Sequence, residues 1–108
     1  MNPNKSSETP RWAVIFISEL SSDTEGYTEM GKKLQQRLAQ FPGFLGVESL
    51  RTGKTGITIS FWRDQESIAR WREDPEHQEA RRMGRERWYQ NYTLLRVRVE
   101  EVKKFQKK

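Results

Sequence analysis

Catalytic chemistry in this chain has one imidazole to work with. His77 is the single histidine among 108 residues, and there is no cysteine. It lies in WREDPEHQEARRMGRERWY, residues 71–89, six residues after Trp71 and four, eleven and twelve before Arg81, Trp88 and Tyr89. An imidazole titrates near neutrality and can move a proton. An arginine can stabilise an anion that develops during a reaction. Indole and phenol rings suit the walls of a cavity for a flat molecule. His77 and Arg81 are therefore candidate catalytic residues. Trp62, Trp71 and Trp88 are candidate substrate-binding residues. The plain alternative is a half-buried histidine that bonds a backbone group, beside tryptophans that supply bulk to a small core. The residue types alone leave both open.

Composition narrows the chemistry. Without cysteine there are no disulfides, thiolate metal sites or cysteine nucleophiles, and one histidine is a poor basis for a protein-only zinc site, so no metal ligand is assigned. The net charge is +5, but four of the last six residues, KKFQKK, are lysine, and from Arg11 to Val102 there are 15 basic and 14 acidic residues. A phosphate-binding surface needs its basic side chains gathered on a folded face, which argues against a nucleic-acid partner. In RRMGRER, residues 81–87, the arginines interleave with Glu79 and Glu86 as on a solvated helix face, and Arg81 alone falls on the inward stripe. No apolar run approaches the roughly 20 residues that cross a bilayer. The opening MNPNKSSETP has no apolar segment, so neither a secretory signal nor membrane contact is expected. A cytoplasmic protein is the expectation.

The elements that must carry these residues follow from periodicity. Residues 1–10 read as a disordered lead-in, 11–102 as the foldable domain and 103–108 as a basic tail. WAVIFISEL, residues 12–20, is a strand with apolar residues on both alternating faces. Ser22 and Glu25 have capping-box spacing ahead of a helix whose stripe is Tyr27, Met30, Leu34, Leu38 and Phe41, closed by Pro42-Gly43. FLGVESLRT and GITISFWR read as a hairpin with Gly53 and Gly56 in its loop. Asp64 caps a short helix, and Asp74-Pro75 starts another running to about Trp88. YTLLRVRVEEV closes the order as a strand. The sum is an α+β, ferredoxin-like β-α-β-β-α-β plan: an antiparallel four-stranded sheet, helices on one face, the second helix split. Gly84, in mid-helix at a cost of about 1 kcal/mol relative to alanine, points to a close approach to the sheet or a ligand.

Helices cover only one face of such a sheet. Leaving Trp12, Val14, Phe16 and Trp62 in water would forgo about 1.5–3 kcal/mol for each large side chain. A second copy of the sheet, a ligand, or both are therefore expected on the open face. RNA-recognition motifs share the element order, and IFISEL resembles their first-strand signature apart from Glu19. GITISF, however, has isoleucines where stacking aromatics belong, and RNA binding is not expected.

The phrases WAVIFISEL, PGFLGVES (42–49), ITISFWRDQESIARW (57–71) and DPEHQEARRMGRERWY (74–89) resemble the antibiotic biosynthesis monooxygenase family over residues 12–102. The resemblance implies a dimeric α+β barrel, a homodimer packed sheet to sheet, with a pocket between the sheet and the helical layer of each protomer. It further implies oxidation of electron-rich phenols or quinols by molecular oxygen without a cofactor, the protein holding the substrate in an aromatic cavity and stabilising its enolate or phenolate. On this chain the resemblance implies Trp62, Trp71 and Trp88 as walls and His77, Arg81, Tyr89 or Tyr92 as polar contacts, with Tyr89 among the substrate-binding residues. A heme-cleaving branch of the superfamily uses an asparagine on the first strand, with a tryptophan and a histidine on the helical layer. Trp71 matches that tryptophan, but Arg81 stands where the iron-ligating histidine would be, and Ser18 is the nearest polar equivalent of the asparagine. Heme as a cofactor is not expected. The alternative to an enzyme is a non-catalytic dimer, a small-ligand-binding or stress-related protein.

Overall fold

A computed structural model describes residues 8–108; the expectation of a disordered lead-in falls mostly on residues outside that range. The elements are β1 (Trp12–Leu20), α1 (Tyr27–Leu38), β2 (Phe44–Thr52), β3 (Thr55–Trp62), α2 (Gln65–Glu73), α3 (Pro75–Met83), a π-helical turn (Gly84–Trp88) and β4 (Tyr89–Arg98). The four strands form one antiparallel sheet in the order β2-β3-β1-β4. This is the ferredoxin-like plan, with the second helix split as read from Asp74-Pro75.

Local chemistry explains most boundaries. Asp64 accepts from the Ser67 backbone N–H at 2.8 Å and starts α2. Asp74 accepts from the His77 N–H at 3.2 Å, with Pro75 in the first turn of α3. Both are side-chain N-caps. The Ser22–Glu25 capping box does not form. Helix α1 starts after Gly26, whose φ of 83° lies in the left-handed region and which makes no side-chain cap bond. The preceding loop is instead tied to the π-helical turn, and those ties decide where the helix begins. Gly56 is also not in the hairpin loop; it is a buried residue inside β3.

Cross-strand rows define the two faces. Trp12 pairs with Trp62, Val14 with Ser60, Phe16 with Thr58 and Ser18 with Gly56, and all lie on the helix-covered face. There Phe44, Val47, Trp62, Ile68 and Trp71 form the buried core, with Trp12, Val14, Leu34, Leu38 and Phe41 packed against it. The inward stripe of α1 is therefore as its periodicity predicts. The uncovered face carries Ile15, Ile17, Ile57, Ile59, Leu95 and Val97.

This reverses one expectation. Trp62 is 1% exposed, Trp12 and Val14 pack against the core beneath the helices, and Phe16 is half-buried against Tyr89 and Tyr92. The open face is the isoleucine face instead. Alternation separates two faces of a strand without saying which one the helices take. The tryptophans fill the wedge between sheet and helices, and the bare face keeps the branched side chains together with Phe61. Among the described residues no helix is long and apolar enough to cross a membrane.

Candidate functional site

Two aromatic clusters lie between the sheet and the helical layer. Trp12 and Ser18 mark opposite ends of β1, about 20 Å apart at strand rise. At the Trp12 end, Trp62 meets Phe44 and Phe41, with ring centroids 5.7 and 6.5 Å away. Phe41 reaches Trp71 at 5.1 Å, and Trp71 stacks on His77 at 4.6 Å with 20° between the planes. At the Ser18 end, Phe16 contacts Tyr89 and Tyr92 at 5.2 and 5.1 Å. Tyr27 meets Trp88 and Tyr89 edge-on at 5.6 and 5.9 Å. The structure thus divides the sequence candidates: Trp62, Trp71 and His77 stand at one end, Trp88 and Tyr89 at the other.

His77 is a neutral group here. Its Nδ1 lies 3.0 Å from the Trp71 carbonyl oxygen, which can only accept, so Nδ1 carries the proton and Nε2 the lone pair. Burial lowers its pKa to about 4, outweighing that hydrogen bond; the Arg81 charge lowers it further. Arg81 is half-buried one turn along α3. At this end the imidazole stays neutral near pH 7, with Nε2 as an acceptor.

The Ser18 end is built differently. Arg51, Gly56, Ser18 and Tyr92 form a single row across all four strands. Gly56 has no side chain to lift Arg51, so the guanidinium lies flat across β3; a Cβ at position 56 would sit 2.5 Å from Arg51 Cζ. From there Nη2 donates to Ser18 Oγ at 3.2 Å and to Tyr27 Oη at 3.1 Å, while Nη1 donates to the Lys54 carbonyl at 2.8 Å. Ser18 is buried. Burial, and next the Tyr27 phenol beside it, push the Tyr89 pKa upward, against the pull of Arg51. Tyr89 therefore stays a protonated hydrogen-bond donor.

The π-helical turn closes this end. Arg87 pairs with Asp23 and Glu25 at 3.0 and 3.4 Å. Trp88 Nε1 donates to the Glu25 carbonyl at 2.8 Å, and Ser21 Oγ donates to the Arg87 carbonyl. A Cβ on Gly84 would lie 2.7 Å from the Tyr89 ring, so this glycine admits the ring against the turn. Single π-helical turns often mark functional sites. Sequence reading missed Arg51, Ser18, Tyr27 and Phe16 as a group. The available signal was Gly56, since a glycine within a β-branched strand marks the close approach of another group. Among the described residues, no three His, Asp or Glu side chains gather as a metal ion would require.

Comparison with known proteins agrees with this fold. The family model for antibiotic biosynthesis monooxygenase matches residues 16–83. The uncharacterized protein YqjZ of Bacillus subtilis is 40% identical over 104 residues, covering 95% of this chain and 91% of that protein. Jasmonate monooxygenase ABM of Pyricularia oryzae is 33% identical over 105 residues, covering 86% of this chain and 48% of that protein, so this chain spans about half of it. The crystal structure of SnoaB, a cofactor-independent oxygenase from Streptomyces nogalater, superposes with a TM-score of 0.72 at 12% identity, covering 87% of this chain and 97% of that one, a likeness of fold. With the matched segment running from β1 through α3 and a relative of 40% identity over nearly its whole length, this chain belongs to the antibiotic biosynthesis monooxygenase family.

Proposed function

We propose that the protein is a cofactor-independent monooxygenase for a small phenol- or quinol-like aromatic substrate, acting in the cytoplasm as a homodimer. The observation that carries this reading is the Ser18-end cluster, where Phe16, Tyr27, Tyr89 and Tyr92 gather beside Trp88 of the π-helical turn with a guanidinium next to them. The names of two relatives support it: one is called a jasmonate monooxygenase, and SnoaB a cofactor-independent oxygenase.

The aromatic side chains hold the substrate, and Tyr89 donates to its oxygen as negative charge develops there. The ionised substrate is itself the reductant of dioxygen. At a ring methylene, the keto form of such a phenol, one oxygen atom becomes the carbonyl and the other leaves as water with both hydrogens. No outside reductant is needed. At the other end His77, stacked on Trp71, and Arg81 one turn along form the alternative site, with Nε2 as a hydrogen-bond acceptor.

Oxygen uptake with an electron-rich quinol tests the reading. Tyr89→Phe lowers kcat/KM by about 100–1000-fold, the loss of one donor to an oxyanion, while His77→Gln stays within about twofold of wild type. Uptake no faster than background would overturn the proposal. A large loss in His77→Gln would move the reaction to the Trp71 end. Direct ring-to-ring contact in both clusters favours a second reading, a dimer that binds a small apolar ligand without turnover. Ligand-induced tryptophan quenching without oxygen uptake would identify it.

A further inference from the structure

We propose that Arg51 is the specificity-determining residue of the tyrosine-lined site and selects aromatic ligands that carry an anionic oxygen. The proposal deepens the reading of this end as the substrate site, and its test does not depend on turnover.

Arg51 is held in place. Its guanidinium crosses Gly56 to reach Ser18 and Tyr27, three strands and a helix converging on one cation. Its three hydrogen bonds all go to uncharged oxygens: a hydroxyl, a phenol and a carbonyl. A guanidinium offers five N–H donors, so two remain. Among the described residues no carboxylate comes within ion-pair distance of Arg51, whereas Arg63 pairs with one and Arg37, Arg82 and Arg87 with two each. The charge is therefore positioned and not neutralised. An arginine that merely decorates an edge strand needs neither a glycine beneath it nor a buried serine as acceptor.

The neighbours define the rest of the ligand. Arg51 Cζ lies 5.7 Å from the Tyr27 ring centroid, and Tyr27 touches Tyr89, which touches Phe16 and Tyr92. Cation, phenol and ring wall follow one another across the sheet. A planar ring against Tyr89 and Phe16, with a carboxylate or phenolate oxygen directed toward Arg51, satisfies all three. A neutral ring of the same shape leaves the guanidinium without a counter-charge.

Titration of the full-length protein with three probes, followed by intrinsic fluorescence and by calorimetry, tests this. The probes are 2-naphthoate, ionised 4-nitrophenol and the uncharged 2-naphthamide. The expected result is binding of one or both anions at least about tenfold tighter than the amide, the worth of one charge-assisted hydrogen bond. Arg51→Gln removes that preference and leaves the amide's affinity unchanged. Gly56→Ala, which keeps the charge but crowds the guanidinium off Ser18, also weakens the anions; it guards against a folding defect peculiar to the Arg51 variant. Retention by naphthoate alone or nitrophenolate alone tells a carboxylate from a phenolate. Equal affinity for anion and amide, an unchanged preference in Arg51→Gln, or no binding of any probe overturns the proposal. Failure of oxygen uptake with these results intact would sink only the oxygenase reading.

Discussion

An imidazole pressed against an indole lowers stability once its unfolded counterpart can pick up a proton. The native His77 pKa is about 4, against 6.5 for the free side chain, with burial as the main cause. Above the unfolded value neither state is charged and the group contributes nothing. Between about 6.5 and 4 the unfolded chain binds a proton that the native state refuses, so stability falls as pH drops, by a total on the order of 3 kcal/mol. Below about 4 the loss is complete and flat. The lowered carboxylates, Asp74 through its Arg37 bonds and Asp64 through Ser67, act in a separate window at lower pH. Urea midpoints from pH 8 to pH 4 are expected to decline in wild type and to stay nearly level in His77→Gln. Parallel curves would show that the imidazole is not desolvated. The prominence of His77 in the sequence comes from its being the only one of its kind. Arg51, one of 20 basic residues, has no such mark, and its site depends on what lies beside it in space.

At the scale of elements, one carboxylate ties together three helices. Asp74 caps α3, ends α2, and accepts from Arg37 Nε at 2.8 Å and Arg37 Nη2 at 2.6 Å across from α1. Asp74→Ala should cost about 1–2 kcal/mol through the lost cap alone, and Asp74→Asn, which keeps an acceptor oxygen, distinctly less. Thermal melts of the two variants order them. If both match wild type, the Asp74 contacts contribute nothing net. The caps of α2 and α3 were legible because an aspartate before a helix acts over three residues. The start of α1 was not, because Arg87 and Trp88, more than 60 residues away, hold the loop that precedes it.

The whole molecule presents a sheet with one covered and one bare face. On the bare side Leu50 is 77% exposed, and Ile57 and Leu95 are more than 40% exposed. Ile57 stands opposite Leu50 on one strand and Ile17 on the other, the centre of a continuous apolar surface. A patch of this kind marks an association site, and a flat sheet is matched by its own copy about a two-fold axis. Sedimentation velocity at micromolar concentration is expected to give the mass of a dimer for wild type and of a monomer for Ile57→Lys. A wild-type monomer would remove the homodimer from the proposed function. A second apolar face was visible in the doubly apolar β1. Its chemistry was not: the bare surface is rich in isoleucine and leucine and holds no tryptophan.

The amino-acid order alone determined the succession of strands and helices, two of the three helix caps and the inward stripe of α1, since each depends on residues a few positions apart. It also carried the family, through phrases spread along the foldable chain. Tertiary structure decided which face of the sheet the helices occupy, how the aromatic residues divide into two clusters, and that Arg51 reaches Ser18 and Tyr27 over Gly56. Those outcomes rest on contacts between residues distant in the chain. Packing volume and the absence of a single Cβ settle them, and neither leaves a periodic trace in sequence.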